Sequence, residues 1–164
     1  DNYLIPINIG GCIENIREYP IEVKKHLLER LDKEAPNCNV RIAVLDCCRK
    51  NGLTQCGGPD IVKGTIESKG LVMIDSPIGS SILYGTAYDT YAYPGDKGYN
   101  SPFVESFVNC FRENPDANWS VFGSEVSIRV RELTKNYGYG AQQPVSDNRF
   151  FFDAHHFYLN PYHK

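Results

Sequence analysis

The sequence has no excess of basic residues. Its 17 lysines and arginines face 20 aspartates and glutamates, for a net charge of −3 at pH 7. The basic footprint of a general nucleic-acid binder is therefore missing, and no nucleic-acid partner is expected. No apolar run approaches the ~20 residues of a membrane-spanning helix, so no membrane partner is expected either. The first residues, Asp1-Asn2-Tyr3-Leu4, show neither a basic n-region nor an apolar h-region, and without a secretory signal a cytoplasmic location is the expectation. A start at Asp1 points to a processed or excised chain. Repeats, heptads and low-complexity tracts are absent. So are Cys-x-x-Cys pairs and an EF-hand loop, so neither a metal nor another cofactor is expected. What is left is ordinary: 164 residues, 41% hydrophobic and 23% charged, enough for one domain with its own core.

Six cysteines, Cys12, Cys38, Cys47, Cys48, Cys56 and Cys110, invite a disulfide framework. That reading suits small secreted chains, and adjacent Cys47 and Cys48 cannot easily pair with each other, so reduced thiols are expected. The sequon Asn118-Trp119-Ser120 reads as a chance match. Residues 2–8 (NYLIPIN) form an apolar run broken by Pro6, an edge strand or extended segment. Residues 21–34 (IEVKKHLLERLDKE) place Val23, Leu27, Leu28 and Leu31 on one face at helical spacing, between Pro20 and Pro36. His26 reads as a surface histidine on that helix. Residues 40–48 (VRIAVLDCC) contain the continuous apolar run Ile42-Ala43-Val44-Leu45, the mark of a buried parallel strand. Residues 53–80 read as a long loop, and residues 81–93 (SILYGTAYDTYAY) as a core strand followed by a surface turn.

Ser101-Pro102 opens a second helix through Phe103, Phe107, Val108 and Phe111, with Ser as N-cap and Pro at N1. A third helix spans residues 121–135, with Phe122, Val126, Val130 and Leu133 inward. Residues 150–159 (FFFDAHHFYL) read as an aromatic final strand. The alternation of helices and strands gives an α/β fold.

Chemistry in open α/β sheets collects outside the carboxyl ends of parallel strands. Asp46, Cys47, Cys48, Arg49 and Lys50 occupy that end of the residue 42–45 strand. A thiol beside Arg49 and Lys50 has the basic setting that favours the thiolate. In extended backbone, residues two apart share a face, which pairs Asp46 with Cys48 and turns Cys47 away.

Strand, Asp, small residue, Cys, Arg, Lys resembles the nucleophile segment of the caspase-like cysteine peptidases, and among these is most similar to the paracaspases. The likeness continues along the chain. Asn2-Tyr3-Leu4-Ile5-Pro6-Ile7 resembles the segment after the family's catalytic His-Gly, and Tyr84-Gly85-Thr86-Ala87-Tyr88 the strand that opens the smaller subunit. Gly98-Tyr99-Asn100-Ser101-Pro102-Phe103 resembles the helix start of bacterial and metacaspase relatives, and Gln142-Gln143-Pro144 a late Gln-x-Pro. The resemblance implies a caspase-like three-layer sandwich with a mostly parallel central sheet, here a partial domain. Residues 1–80 would be the end of a large-subunit-like region and residues 81–164 a small-subunit-like region.

The same resemblance makes Cys48 the nucleophile of an endopeptidase and Asp46 the acid at the floor of the S1 pocket, selecting basic P1 residues with Arg preferred. Ala87, Tyr88, Asp89 and Tyr91 would flank a bound peptide. The catalytic His, about 50 residues before the Cys in this family, would lie upstream of residue 1, because His26, His155, His156 and His163 do not match it. The final strand, Phe150 to Leu159, would be the seam of a possible homodimer. A catalytically inactive caspase-like scaffold is the alternative.

Overall fold

The computed structural model describes residues 3–4, 21–47, 76–88, 90–96, 98–138, 140–150, 153, 156–160 and 162. Two short strands, β1 (Tyr3–Leu4) and β2 (Ile21–Glu22), pair antiparallel. The chain then enters helix α1, a π-helical stretch Val23–Leu28 that continues as α-helix Glu29–Glu34. Strands β3 (Arg41–Leu45) and β4 (Ser80–Tyr84) follow, then helices α2 (Pro102–Glu113) and α3 (Trp119–Thr134), and last strand β5 (Val145–Arg149).

The main sheet has the order β3-β4-β5. Strands β3 and β4 are parallel, with Leu45 opposite Tyr84, and β4 and β5 are antiparallel, with Tyr84 opposite Val145. Every residue of β4 is buried, as a central strand covered on both faces must be. Its side chains alternate between two cores. Ile82 and Tyr84 join Ala43 and Leu45 of β3 and pack against Val23 and Leu28 of α1. Leu83 points the other way, into a cluster with Phe103 and Cys110 of α2 and Trp119, Phe122, Val126 and Val130 of α3. With α1 on one face and α2 and α3 on the other, the expected α/β three-layer arrangement is present, its described strands forming one parallel and one antiparallel pair.

Helix α2 starts as its sequence dictates. Ser101 is the N-cap and accepts the Val104 N–H, with Pro102 in the first turn. Asn118 caps α3 in the same way, through Val121 N–H. Trp119 is fully enclosed, and its indole N–H finds Ser81 Oγ at 2.7 Å and Asn148 Oδ1 at 3.0 Å. Ser81 Oγ itself donates to Asn148 Oδ1. One polar knot thus joins β4, α3 and β5, and it meets the requirement that a buried indole be hydrogen-bonded.

Four expectations need correction. The helix starts at Val23, not at residue 21, because Ile21 and Glu22 give their backbone to β1. Leu31 and Leu133 do not face the core: they are 36% and 47% exposed, and Thr134 takes the buried place at the end of α3. Val44 is 41% exposed, so β3 is buried mainly on its α1 face. The last strand among the described residues does not lie in the 150–159 run, part of which is outside them. It is β5, whose residues Val145-Ser146-Asp147-Asn148-Arg149 pair with β4. Phe150, Phe157 and Leu159 pack onto the chain's own α2–α3 core instead, and Tyr158 makes a single bridge to Asn118. Phe151, Phe152 and His155 lie outside the described residues, as does most of the 53–80 loop.

Phe122 is the most surrounded ring of the α2–α3 core. It stacks on Trp119 at 5.7 Å between centroids and meets Phe107 edge-on at 5.0 Å. Truncating a fully buried aromatic costs about 3–5 kcal/mol. Phe122→Ala is expected to lower the urea-unfolding free energy by that amount, and a loss under about 1 kcal/mol would contradict this packing.

Candidate active site

The parallel pairing of β3 and β4 brings the carboxyl ends of both strands to one edge of the sheet. Gly85 N–H donates to Leu45 O at 2.8 Å and extends the ladder one residue past β4. Asp46, the first residue after β3, therefore lies against Gly85. A Cβ built on Gly85 would stand 3.0 Å from Asp46 Oδ1 and 3.3 Å from Phe103 Cδ1, so glycine is what lets the acid and the start of α2 close on this point. The carboxylate is exposed on its other side. Its Oδ2 accepts a 2.5 Å hydrogen bond from Ser101 Oγ, so one serine both caps α2 and holds Asp46.

Beyond Gly85 the chain carries Ala87, half-buried, and Tyr88 and Tyr91, 47% and 37% exposed. A hydroxyl clasp shapes this segment. Thr86 Oγ1 and Thr90 Oγ1 are hydrogen-bonded to each other at 2.5 Å, with Tyr91 O 3.1 Å from Thr86 Oγ1 and Ala87 O 2.6 Å from Thr90 Oγ1 as alternative acceptors for their protons. Thr86 is fully buried. Buried Gln142 reaches the same place: Gln142 Nε2 donates to Gly85 O at 2.6 Å, and Gln142 Oε1 accepts from Tyr93 N–H at 2.9 Å. Asp46 lies against Gly85, and Ala87, Tyr88 and Tyr91 follow in the segment after that glycine. Cys48 and Asp89 lie outside the described residues.

The described cysteines divide by surroundings. Cys38 is exposed, Cys47 is half-buried against the α1-side core, and Cys110 is buried. Burial pushes the Cys110 thiol pKa up, outweighing the lowering field of Arg129. Cys47 pointing into the core agrees with the expectation that it turns away from Asp46. Of the histidines, His26 Nδ1 accepts the Glu22 N–H at the start of α1, and exposed His156 lies after β5. Among the described residues no group of three or more His, Cys, Asp or Glu is placed to hold a metal ion.

Ser101 in its second contact, the Thr86–Thr90 clasp and the span of Gln142 are what sequence reasoning missed. The Ser-Pro helix start was legible as a cap; its contact with Asp46, 55 residues away in sequence, has no local signal.

Asp46 and the segment after Gly85 lie at the carboxyl edge of the parallel pair β3 and β4 of an α/β domain. The family model for the caspase domain matches residues 1–153. The chain belongs to the caspase-domain family and is a caspase-family peptidase domain, whose substrates are proteins. A search of curated proteins finds no match. Among the described residues no helix is long and apolar enough to cross a membrane.

Two outcomes follow from this geometry. A thiol whose pKa is raised in the folded state stabilises the fold below its unfolded pKa of about 8.5, and that contribution is lost as pH rises through the folded value. Native protein at neutral pH is therefore expected to alkylate at Cys38 and to spare Cys110, with Cys110→Ala flattening the alkaline loss of stability; mass-spectrometric mapping that found Cys110 modified first would contradict its burial. Ser101→Ala removes the N-cap acceptor of α2 and is expected to cost about 1 kcal/mol in chemical denaturation, with Ser101→Thr recovering most of it.

Proposed function

We propose that the protein is a cysteine endopeptidase of paracaspase type that cleaves after basic residues, with Arg preferred at P1. The observation that carries this reading is the acid at the sheet edge. Asp46 stands beside Gly85, its carboxylate held by Ser101 and open to solvent on one side. A carboxylate held in place favours a guanidinium, which can meet it with two parallel N–H donors, and repels an acidic P1.

Cys48, two residues after Asp46 and next to Arg49 and Lys50, is the nucleophile in this reading. Cys47 packs on the core and is not the nucleophile in this reading. The thiolate attacks the scissile carbonyl, and the Cys48 backbone N–H donates to the developing oxyanion. The C–N bond breaks as a histidine from a segment upstream of residue 1 gives its proton to the leaving amine, and water then hydrolyses the thioester. Residues Ala87 to Tyr91 flank the peptide, which adds to them as an extended strand.

The test uses full-length protein carrying the upstream segment. An arginyl chloromethyl ketone is expected to label Cys48, and Cys48→Ala should abolish labelling and cleavage. Asp46→Asn should lower kcat/KM for an Arg substrate on the order of 10²-fold, about 2–3 kcal/mol. Efficient cleavage after Asp, or labelling at Cys47, would overturn the reading. Complete absence of hydrolysis in that protein would favour the alternative, a non-catalytic interaction module.

A further inference from the structure

Gln142 is 1% exposed and lies between α3 and β5. Three of its polar groups are committed to three different parts of the chain. The main-chain N–H donates to Thr134 Oγ1 at 2.8 Å, and Thr134 Oγ1 donates to Val130 O at 2.7 Å in the last turn of α3. Oε1 accepts Tyr93 N–H, and Nε2 donates to Gly85 O.

Gly85 and Tyr93 are the two ends of the segment that carries Ala87, Tyr88 and Tyr91. A single side-chain amide therefore fixes the distance between those ends, with one donor for the first and one acceptor for the second. Tyr93 is fastened further to the α3–β5 connection, its hydroxyl donating to Gly140 O at 2.8 Å and its ring edge-on to Tyr137 at 4.7 Å. Gly85 is the reference point of the whole edge. Its N–H is bonded to β3, its Cα lies against Asp46, and its carbonyl is held by Gln142.

We infer that Gln142 is a positioning residue for substrate recognition: it holds the segment from Gly85 to Tyr93 at a set span and orientation relative to Asp46, and so sets P1 selectivity without touching the substrate. The inference rests on the reading that this segment flanks the bound peptide. The requirement is chemically narrow. Glutamate has no donor for Gly85 O, methionine fills the volume but bonds neither end, and asparagine is one methylene short. A buried carbonyl and N–H left unmatched would re-orient the segment in search of partners.

The experiment compares full-length wild type with Gln142→Met and Gln142→Glu, using a panel of peptide chloromethyl ketones that differ at P1, iodoacetamide as a probe that needs no recognition, and amide hydrogen exchange. For the P1 that wild type prefers, inactivation is expected to slow at least about tenfold in both variants, while the iodoacetamide rate stays within about twofold and KM rises with little change in kcat. Exchange in the peptide covering residues 86–93 should speed up at least about tenfold, with residues 80–84 unchanged. Ketone and iodoacetamide rates falling together, or exchange at 86–93 staying as in wild type, would overturn the inference. If both variants fail to fold, Thr134→Val, which removes only the anchor of the Gln142 backbone, must give the same pattern more weakly, and an unaltered ketone-to-iodoacetamide ratio there would overturn it. A wild type that prefers a P1 other than Arg would count against Asp46 as the selector of basic residues, while the Gln142 comparison would proceed with the preferred ketone.

Discussion

The parallel register of β3 against β4 is the constraint on which the rest of this domain depends. It sets Leu45 opposite Tyr84, so both strands end at the same edge and Asp46 meets Gly85. It also places Ile82 and Tyr84 on the α1 side and Leu83 on the other, so one buried strand supplies both cores. A slip by one residue would exchange these faces and move Asp46 away from Gly85 and Ser101. The site is thus a by-product of the packing that makes the sheet stable.

Around that edge the polar groups are arranged so that few are left to seek other partners. Ser101 serves α2 and Asp46 together. Trp119, Ser81 and Asn148 join α3, β4 and β5. Gln142 joins Gly85, Tyr93 and α3. Each is a side chain bridging elements far apart in sequence, and hydrogen bonds in a weakly polar interior hold such bridges more firmly than at the surface. The surface ion pairs, Arg129 with Glu113 and Lys135 with Glu132, lower the carboxylate pKa values but stand in water, where such pairs contribute little.

Membership of the caspase-domain family gives this arrangement its meaning. The fold supplies a sheet edge, and what the edge does depends on the residues there. Asp46 stands at that edge, and the elements that hold it are a glycine, a helix cap and a parallel ladder.

The sequence by itself determined the elements whose signals are local. The apolar run Ile42 to Leu45, the Ser101-Pro102 helix start and the 3.6-residue spacing of Phe122, Val126 and Val130 are written in neighbouring residues, because backbone propensity, capping and periodic burial act over a turn or two of chain. Asp46 as the acid at a strand's carboxyl end was legible for the same reason. Tertiary structure decided the last strand and the ties of the site. Strand β5 carries Ser146, Asp147 and Asn148, a composition that points away from a strand, and it is one because β4 needs a second partner for its backbone. The aromatic residues Phe150 and Phe157 had the stronger strand signal, yet a core was close enough to take them in. Ser101 on Asp46 and Gln142 between Gly85 and Tyr93 span 55 and about 50 residues of chain. Contacts of that range leave no local pattern, since a hydrogen bond depends on where the folded backbone puts its partner and not on what stands beside it in sequence.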